Sequence, residues 1–172
     1  MSKLKKNILV FAALLIGFCA GTVGKISYEL LSDRPYIWNS PPIIINCYGA
    51  EFSEVQLVKA IDFWTIHGEE IGFYEINPPK SVCEGDLPLQ GFIVLRKAKP
   101  WQLETETLAS TKRRTSANRM LSAEIWFSPG TYRLDYLIEH ELGHALGFNH
   151  VEIEGHIMHP LYPKIGPKFW IP

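Results

Sequence analysis

The sequence has no excess of charge of either sign, only three cysteines and no internal repeat. Lys and Arg number 17 against 18 Asp and Glu over 172 residues, so the net charge is −1. Proteins that bind nucleic acid usually carry an excess of lysine and arginine, so this balance gives no indication of a nucleic-acid partner. A chain of this length, 47% hydrophobic and 20% charged, is predicted to form one domain with one hydrophobic core.

The first 24 residues differ from the rest of the chain. Three lysines among the first six residues precede an uncharged apolar stretch from Ile8 to Val23. This stretch is shorter than the roughly 20 residues of a membrane span, so both an uncleaved signal-anchor and a cleaved signal peptide fit residues 1–24. A buried helix of the domain is a third interpretation. Either export interpretation places residues 25–172 outside the cytoplasm, anchored to the membrane or else secreted or periplasmic.

Export makes the cysteines informative. Cys19 lies in the apolar stretch, so Cys47 and Cys83 are the two left in the exported part. An oxidising compartment favours joining them, and we predict a disulfide bond between Cys47 and Cys83. The alternative is a pair of buried free thiols.

The remaining chain predicts a mixture of strands and helices after an irregular lead-in at residues 25–42. Short apolar runs predict strands near residues 43–47, 72–76, 91–96 and 123–128. Ser53 and Gln56 have the form of a capping box, and Val55, Val58, Ile61 and Trp64 continue from it at helical spacing.

The polar stretch at residues 97–119 predicts a long surface loop, either merely solvated or forming a rim that shapes a substrate site. Apolar residues at helical spacing predict a second helix over residues 133–146. The proline-rich chain after Gly147 predicts an irregular end. Residues 43–172 are therefore predicted to be one α+β domain.

Five residues in this second helix and just after it predict a metal site. His140 and His144 are four residues apart, so a helix directs both imidazoles to one point. Gly147 is the residue type that ends a helix in a left-handed conformation, which turns the chain so that His150 becomes the third ligand. Three imidazoles leave one tetrahedral position open, as in catalytic zinc sites. Glu141, beside the first ligand, is placed to act as a base.

This pattern predicts a zinc-dependent endopeptidase with one catalytic zinc ion. A zinc-bound water would be activated by Glu141, which takes its proton and later passes it to the leaving amine. Two alternatives stay open. One is a zinc hydrolase of another amide, such as a cell-wall peptide, and the other is a catalytically inactive binding module.

Residues 140–150, HELGHALGFNH, resemble the zinc motif of the metzincin peptidases and are most similar to their matrixin branch. Residues 155–160 resemble the methionine turn that lies beneath the metal in that family, with Met158 as its methionine. The resemblance implies a metzincin-like α+β fold. Such a fold has a twisted, mostly parallel sheet with an antiparallel edge strand, a backing helix, an active-site helix and an irregular C-terminal segment.

The same resemblance implies substrate-binding residues for an extended polypeptide. Pro160 and Tyr162 are similar to the family's wall of the pocket for the residue just after the scissile bond. The strand that begins with Ala123, Glu124 and Ile125 resembles the edge strand against which matrixins lay their substrate. No cysteine-switch propeptide motif and no loops for a structural zinc or calcium ion are recognisable, which implies a single zinc ion.

Overall fold

The computed structural model describes residues 34–84 and 90–169, and those from Pro35 onward belong to one compact unit. The predicted signal-anchor or signal peptide at residues 1–24 lies outside the described residues. Within the described part, no helix has both the length and the apolar character needed to cross a membrane.

Five strands form one sheet in the order β2-β1-β3-β5-β4. β1, β2, β3 and β5 run parallel to one another, and β4 runs antiparallel to β5 at one end of the order. The predicted α+β fold with a mostly parallel sheet and an antiparallel edge strand is therefore confirmed. The strands are β1 (Ile43–Cys47), β2 (Phe73–Glu75), β3 (Phe92–Lys97), β4 (Ala109–Ser116) and β5 (Arg119–Phe127).

The backing helix α1 spans Glu54–Ile66 and begins where the sequence predicts. The Ser53 side chain accepts a hydrogen bond from the backbone N–H of Gln56 at 3.4 Å, which satisfies one of the free donors at the helix start. The buried face is Leu57, Ala60 and Trp64. Val55, predicted on the apolar face, is instead 78% exposed, because that face is rotated toward Leu57.

A short helix, α2 (Lys80–Glu84), is joined to the end of β1 by a disulfide bond. Cys47 and Cys83 are the bonded pair, as expected from the sequence, with 5.4 Å between their Cα atoms. Arg96 of β3 also donates a hydrogen bond to the Cys83 carbonyl at 2.8 Å. Both contacts attach α2 to the sheet.

The second long helix, α3, spans Leu137–Leu146 and packs against β4, β5 and α1. It starts later than the predicted residue 133, because a separate 3-10 turn occupies Thr131–Arg133 and Tyr136 takes a left-handed conformation at φ 62°. Gly147 ends the helix at φ 109°. A Cβ on Gly147 would lie 2.0 Å from the Tyr36 carbonyl oxygen, so both conformation and space require glycine there.

The sheet corrects two predictions for the region before α3. Residues 109–116, predicted to lie in a loop, form strand β4. Ala123, Glu124 and Ile125, predicted as the substrate-binding edge, lie in β5, which pairs with β3 on one side and β4 on the other. Because its backbone is already paired on both sides, β5 is not free to add a substrate strand, and Ala123 and Ile125 are buried in the core.

Candidate metal centre

Three imidazoles meet at the end of α3. His140 and His144 lie one turn apart on the helix, and the turn at Gly147 brings His150 back toward them. One nitrogen of each ring lies within 4.8 Å of the others, and the Nε2 atoms of His144 and His150 are 3.0 Å apart. Among the residues that the structure describes, His140, His144 and His150 form the one cluster of three such side chains whose spacing suits a metal ion.

Backbone carbonyls fix the orientation of two of these rings. The Nδ1 of His140 lies 2.8 Å from the Ile157 carbonyl oxygen, and the Nδ1 of His144 lies 2.9 Å from that of Phe148. Because a carbonyl oxygen only accepts, each Nδ1 carries the proton and donates it. The Nε2 lone pairs are then free to face the centre, an arrangement typical of metal-binding histidines.

Desolvation favours the neutral form of the three imidazoles. Desolvation lowers the pKa of His140 to about 4 and that of His144 to about 3. The pKa of His150 is also lowered, again chiefly by burial. Neutral imidazole is the form that binds a metal, so these residues fit a zinc ion without a proton first having to leave.

Glu141 is the acidic residue of the site and is only 5% exposed. Its carboxylate oxygen Oε2 accepts a hydrogen bond from the Thr111 hydroxyl of β4 at 2.5 Å. Burial raises the pKa of Glu141 to about 7, while the hydrogen bond from Thr111 opposes this rise. A carboxylate whose pKa is close to physiological pH is suited to take up and release a proton there.

The imidazoles and Glu141 open into a cleft of about 620 Å³ between α3 and β4. The β4 side of this cleft is formed by Ala109, Ser110, Thr111 and Arg113. A second cavity of about 280 Å³ adjoins it at the start of β4. Pro160 and Tyr162, predicted as a pocket wall, line this second cavity together with Leu108 and Leu137.

Met158 lies beneath α3, the helix that carries His140 and His144. Its side chain is 1% exposed, and a Cβ on Gly143 would lie 2.3 Å from its sulfur atom. His156 fixes the turn, because its Nδ1 accepts the backbone N–H of Met158 at 3.0 Å and its Nε2 donates to the Phe169 carbonyl at 2.6 Å. With both ring nitrogens engaged, His156 has a structural role that sequence reasoning left unassigned.

Sequence reasoning missed Thr111, and it placed Arg113 only in a loop that was either solvated or a rim of the substrate site. Besides its hydrogen bond to the Glu141 carboxylate, the Thr111 hydroxyl lies 3.2 Å from the Glu141 carbonyl. Arg113 donates to the carbonyl of Phe148 at 3.2 Å and to the Asn149 side chain at 3.3 Å. The available signal was the run of three cations at residues 112–114, in a stretch that was expected to be a loop.

Comparison with known proteins agrees with this geometry. A protein-family model described as Matrixin matches residues 51–170, which is more than half of the chain. No curated protein sequence matches the chain. The matched region contains His140, His144 and His150 together with Glu141 and Met158.

Proposed function

The chain belongs to the matrixin family, and on that basis we propose that it is a zinc-dependent endopeptidase. The observation that carries the proposal is the convergence of three neutral imidazoles beside a buried carboxylate in an open cleft. Three protein ligands are the number found in catalytic zinc sites, whereas structural zinc sites are usually closed by four.

The residues that would hold the ion are His140, His144 and His150. When bound there, zinc supplies a Lewis acid that polarises a substrate carbonyl and makes water more acidic. The chain's own part is to fix the ligands, through the carbonyls of Ile157 and Phe148 and through the buried Met158 under α3. Such outer contacts hold each ring in the tautomer that a metal requires.

Glu141 is proposed to act as the general base. It would take a proton from the attacking water and pass that proton to the leaving amine as the peptide bond breaks. Thr111 orients the carboxylate from the neighbouring strand through its 2.5 Å hydrogen bond. A base that is oriented in this way needs no rearrangement before reaction.

The substrate is proposed to be an extended polypeptide that pairs with β4. β4 ends the strand order and borders the cleft, and among the described residues no strand pairs with its outer edge, so that edge is available to an added strand. The side chain after the cleaved bond would enter the cavity lined by Pro160 and Tyr162. We also propose an exported location, which the disulfide bond between Cys47 and Cys83 supports because such bonds persist in oxidising compartments.

The test uses the full chain and its Glu141→Gln variant, which keeps the shape of the side chain and removes the base. Both proteins should bind one zinc ion by elemental analysis. The parent should cleave a proteome-derived peptide library and lose that activity with a chelator, and the variant should be slower by about a hundredfold or more. Equal activity in the two proteins would remove the proposed base. A zinc-loaded parent that cleaves no peptide would favour a hydrolase of another amide or a binding module.

A further inference from the structure

The hairpin of β4 and β5 carries an unbalanced positive charge. Residues 107–123 include Lys112, Arg113, Arg114 and Arg119 but no aspartate or glutamate. Three of the four cations are consecutive in β4, the strand that borders the cleft. The chain as a whole is nearly neutral, so this is a local concentration of charge.

The two cavities fix the direction in which a peptide would lie along β4. The cavity lined by Tyr162 is at the start of the strand, beside Leu108 and Ala109. Arg113 is toward the other end and lines the larger cleft with His144 and His150. A peptide whose residue after the cleaved bond occupies the Tyr162 cavity therefore runs antiparallel to β4. Its residues before the cleaved bond then lie along residues 112–114.

Alternation along the strand places cations on both faces of this edge. Arg113 pairs with Ala123, which points into the core on the side of α3, so Arg113 faces the cleft. Lys112 and Arg114 face the opposite way and are exposed. Directly paired residues of neighbouring strands point to the same face, so successive substrate side chains before the cleaved bond would each lie beside a cation.

These charges are not neutralised within the described part of the chain. No carboxylate there forms an ion pair with Lys112, Arg113 or Arg114. Glu124 is the partner of Lys112 in the strand register, but its carboxylate is held by Arg96 at 2.8 Å. The hydrogen-bond acceptors of Arg113 are a backbone carbonyl and the side chain of an asparagine, both of which are uncharged.

We propose that the substrates are polypeptides with acidic residues on the N-terminal side of the cleaved bond. Arg113 contacts the acidic side chain that faces the cleft, and Lys112 and Arg114 contact those that face outward. This inference rests on the proposed peptidase function and names the class of substrate for the same cleft.

Charged residues on an exposed strand have a second use, because they discourage pairing with other copies of the same chain. Only this second role predicts that neutral variants at these positions aggregate more. A change in which peptides are cleaved is expected only from a role in recognition, so the test measures peptide preference and aggregation together.

The experiment begins with a peptide that the full-length, zinc-loaded protein cleaves at a bond that has been mapped. Three versions carry Glu, Gln or Lys at each of the three positions before that bond. We expect kcat/KM to be about eightfold higher for the Glu peptide than for the Gln peptide, from roughly twofold for each of three cross-strand pairs. The Lys peptide should be slower still. The preference should shrink as salt is raised from about 0.05 M to about 0.5 M, since exposed charges are screened.

A charge-reversed variant, Lys112→Glu with Arg114→Glu, should cleave the Lys peptide faster than the Glu peptide. The matched control is Lys80→Glu with Lys99→Glu, which makes the same total change at exposed cations outside β4 and should keep the preference of the parent. Light scattering on each protein reports aggregation.

The outcomes separate the two proposals. Equal cleavage of the Glu, Gln and Lys peptides by the parent would overturn the acidic preference and leave the peptidase proposal standing. A charge-reversed variant that keeps the preference of the parent, whether or not it aggregates, would overturn the assignment of that preference to Lys112 and Arg114. If the zinc-loaded protein cleaves no peptide at all, the peptidase function is overturned, and the inference with it.

Discussion

Gly143 lies in the middle of α3, between two of the imidazoles, and replacing it with alanine tests how that helix is supported. A Cβ at this position would lie 2.3 Å from the Met158 sulfur and 2.6 Å from a ring carbon of Trp64. Ordinary contacts between such atoms are about 3.5 Å or more, so the neighbours must move by roughly 1 Å. Both side chains are enclosed in the core, since Met158 is 1% exposed and Trp64 is 0% exposed.

Two effects of opposite sign compete in Gly143→Ala. Alanine is favoured over glycine within a helix by about 1 kcal/mol, which would stabilise the protein. Overpacking of a filled core costs about 1–3 kcal/mol, and here both contacts are severe and one involves the rigid indole of Trp64. Trp64 is also held by a 2.7 Å hydrogen bond from its Nε1 to the Glu139 carbonyl. We expect the clash to win, with a net loss of about 2 kcal/mol in the free energy of unfolding.

Urea unfolding of the metal-free protein measures this loss without the contribution of zinc binding. The midpoint should fall at an unchanged slope, and Tm should fall by about 6 °C for a domain of this size. Zinc affinity should weaken as well, because α3 carries two of the proposed ligands, His140 and His144, and must shift. In a Met158→Ala background the same substitution should cost less, since one of the clashing atoms is gone. A Gly143→Ala protein that unfolds at higher urea would refute this account of the packing.

Three further outcomes are expected. Gly147→Ala should lower the free energy of unfolding by more than about 3 kcal/mol, or prevent folding, because the added Cβ would clash with the Tyr36 carbonyl oxygen and φ at this position is 109°. Thermal unfolding measures this, and a small loss of stability would contradict the expectation. Thr111→Val should lower kcat about tenfold with zinc still bound, since Glu141 loses its 2.5 Å hydrogen bond, whereas Thr111→Ser should remain close to the parent. Cys47→Ser should lower the free energy of unfolding by about 4 kcal/mol in urea, from the 36-residue separation that the disulfide spans, and an unchanged midpoint would argue against that bond.

The histidine cluster was predictable from the sequence because its geometry is local. His140 and His144 are one turn apart on the same helix, so their relative positions follow once that helix forms. Gly147 has a left-handed φ of 109°, which the sequence indicates through residue type. Ser53 predicted the start of α1 for the same reason, since a helix cap depends on neighbours within one turn.

The beginning of α3 was less predictable. Leu134 continues the apolar spacing of the helix, so periodicity extends the element back to residue 133. The chain instead makes a 3-10 turn at Thr131–Arg133, and Tyr136 adopts a positive φ of 62°. Sequence periodicity does not distinguish a continuous α-helix from a short turn followed by a new helix, because both place apolar residues toward the core.

β4 was missed for a reason that follows from the function proposed for it. Strands are recognised in a sequence by alternation between a buried apolar face and a polar face. The face of β4 toward α3 carries Thr111 and Arg113, because it lines an open cleft rather than the core. Ala123 and Ile125 of β5 follow the expected alternation, and for that reason β5 was predicted to be the edge strand. The alternation in fact reflects their burial inside the sheet. The polar and cationic stretch just before the apolar strand was therefore the sequence signal for the edge of the sheet, which is the strand proposed here to pair with substrate.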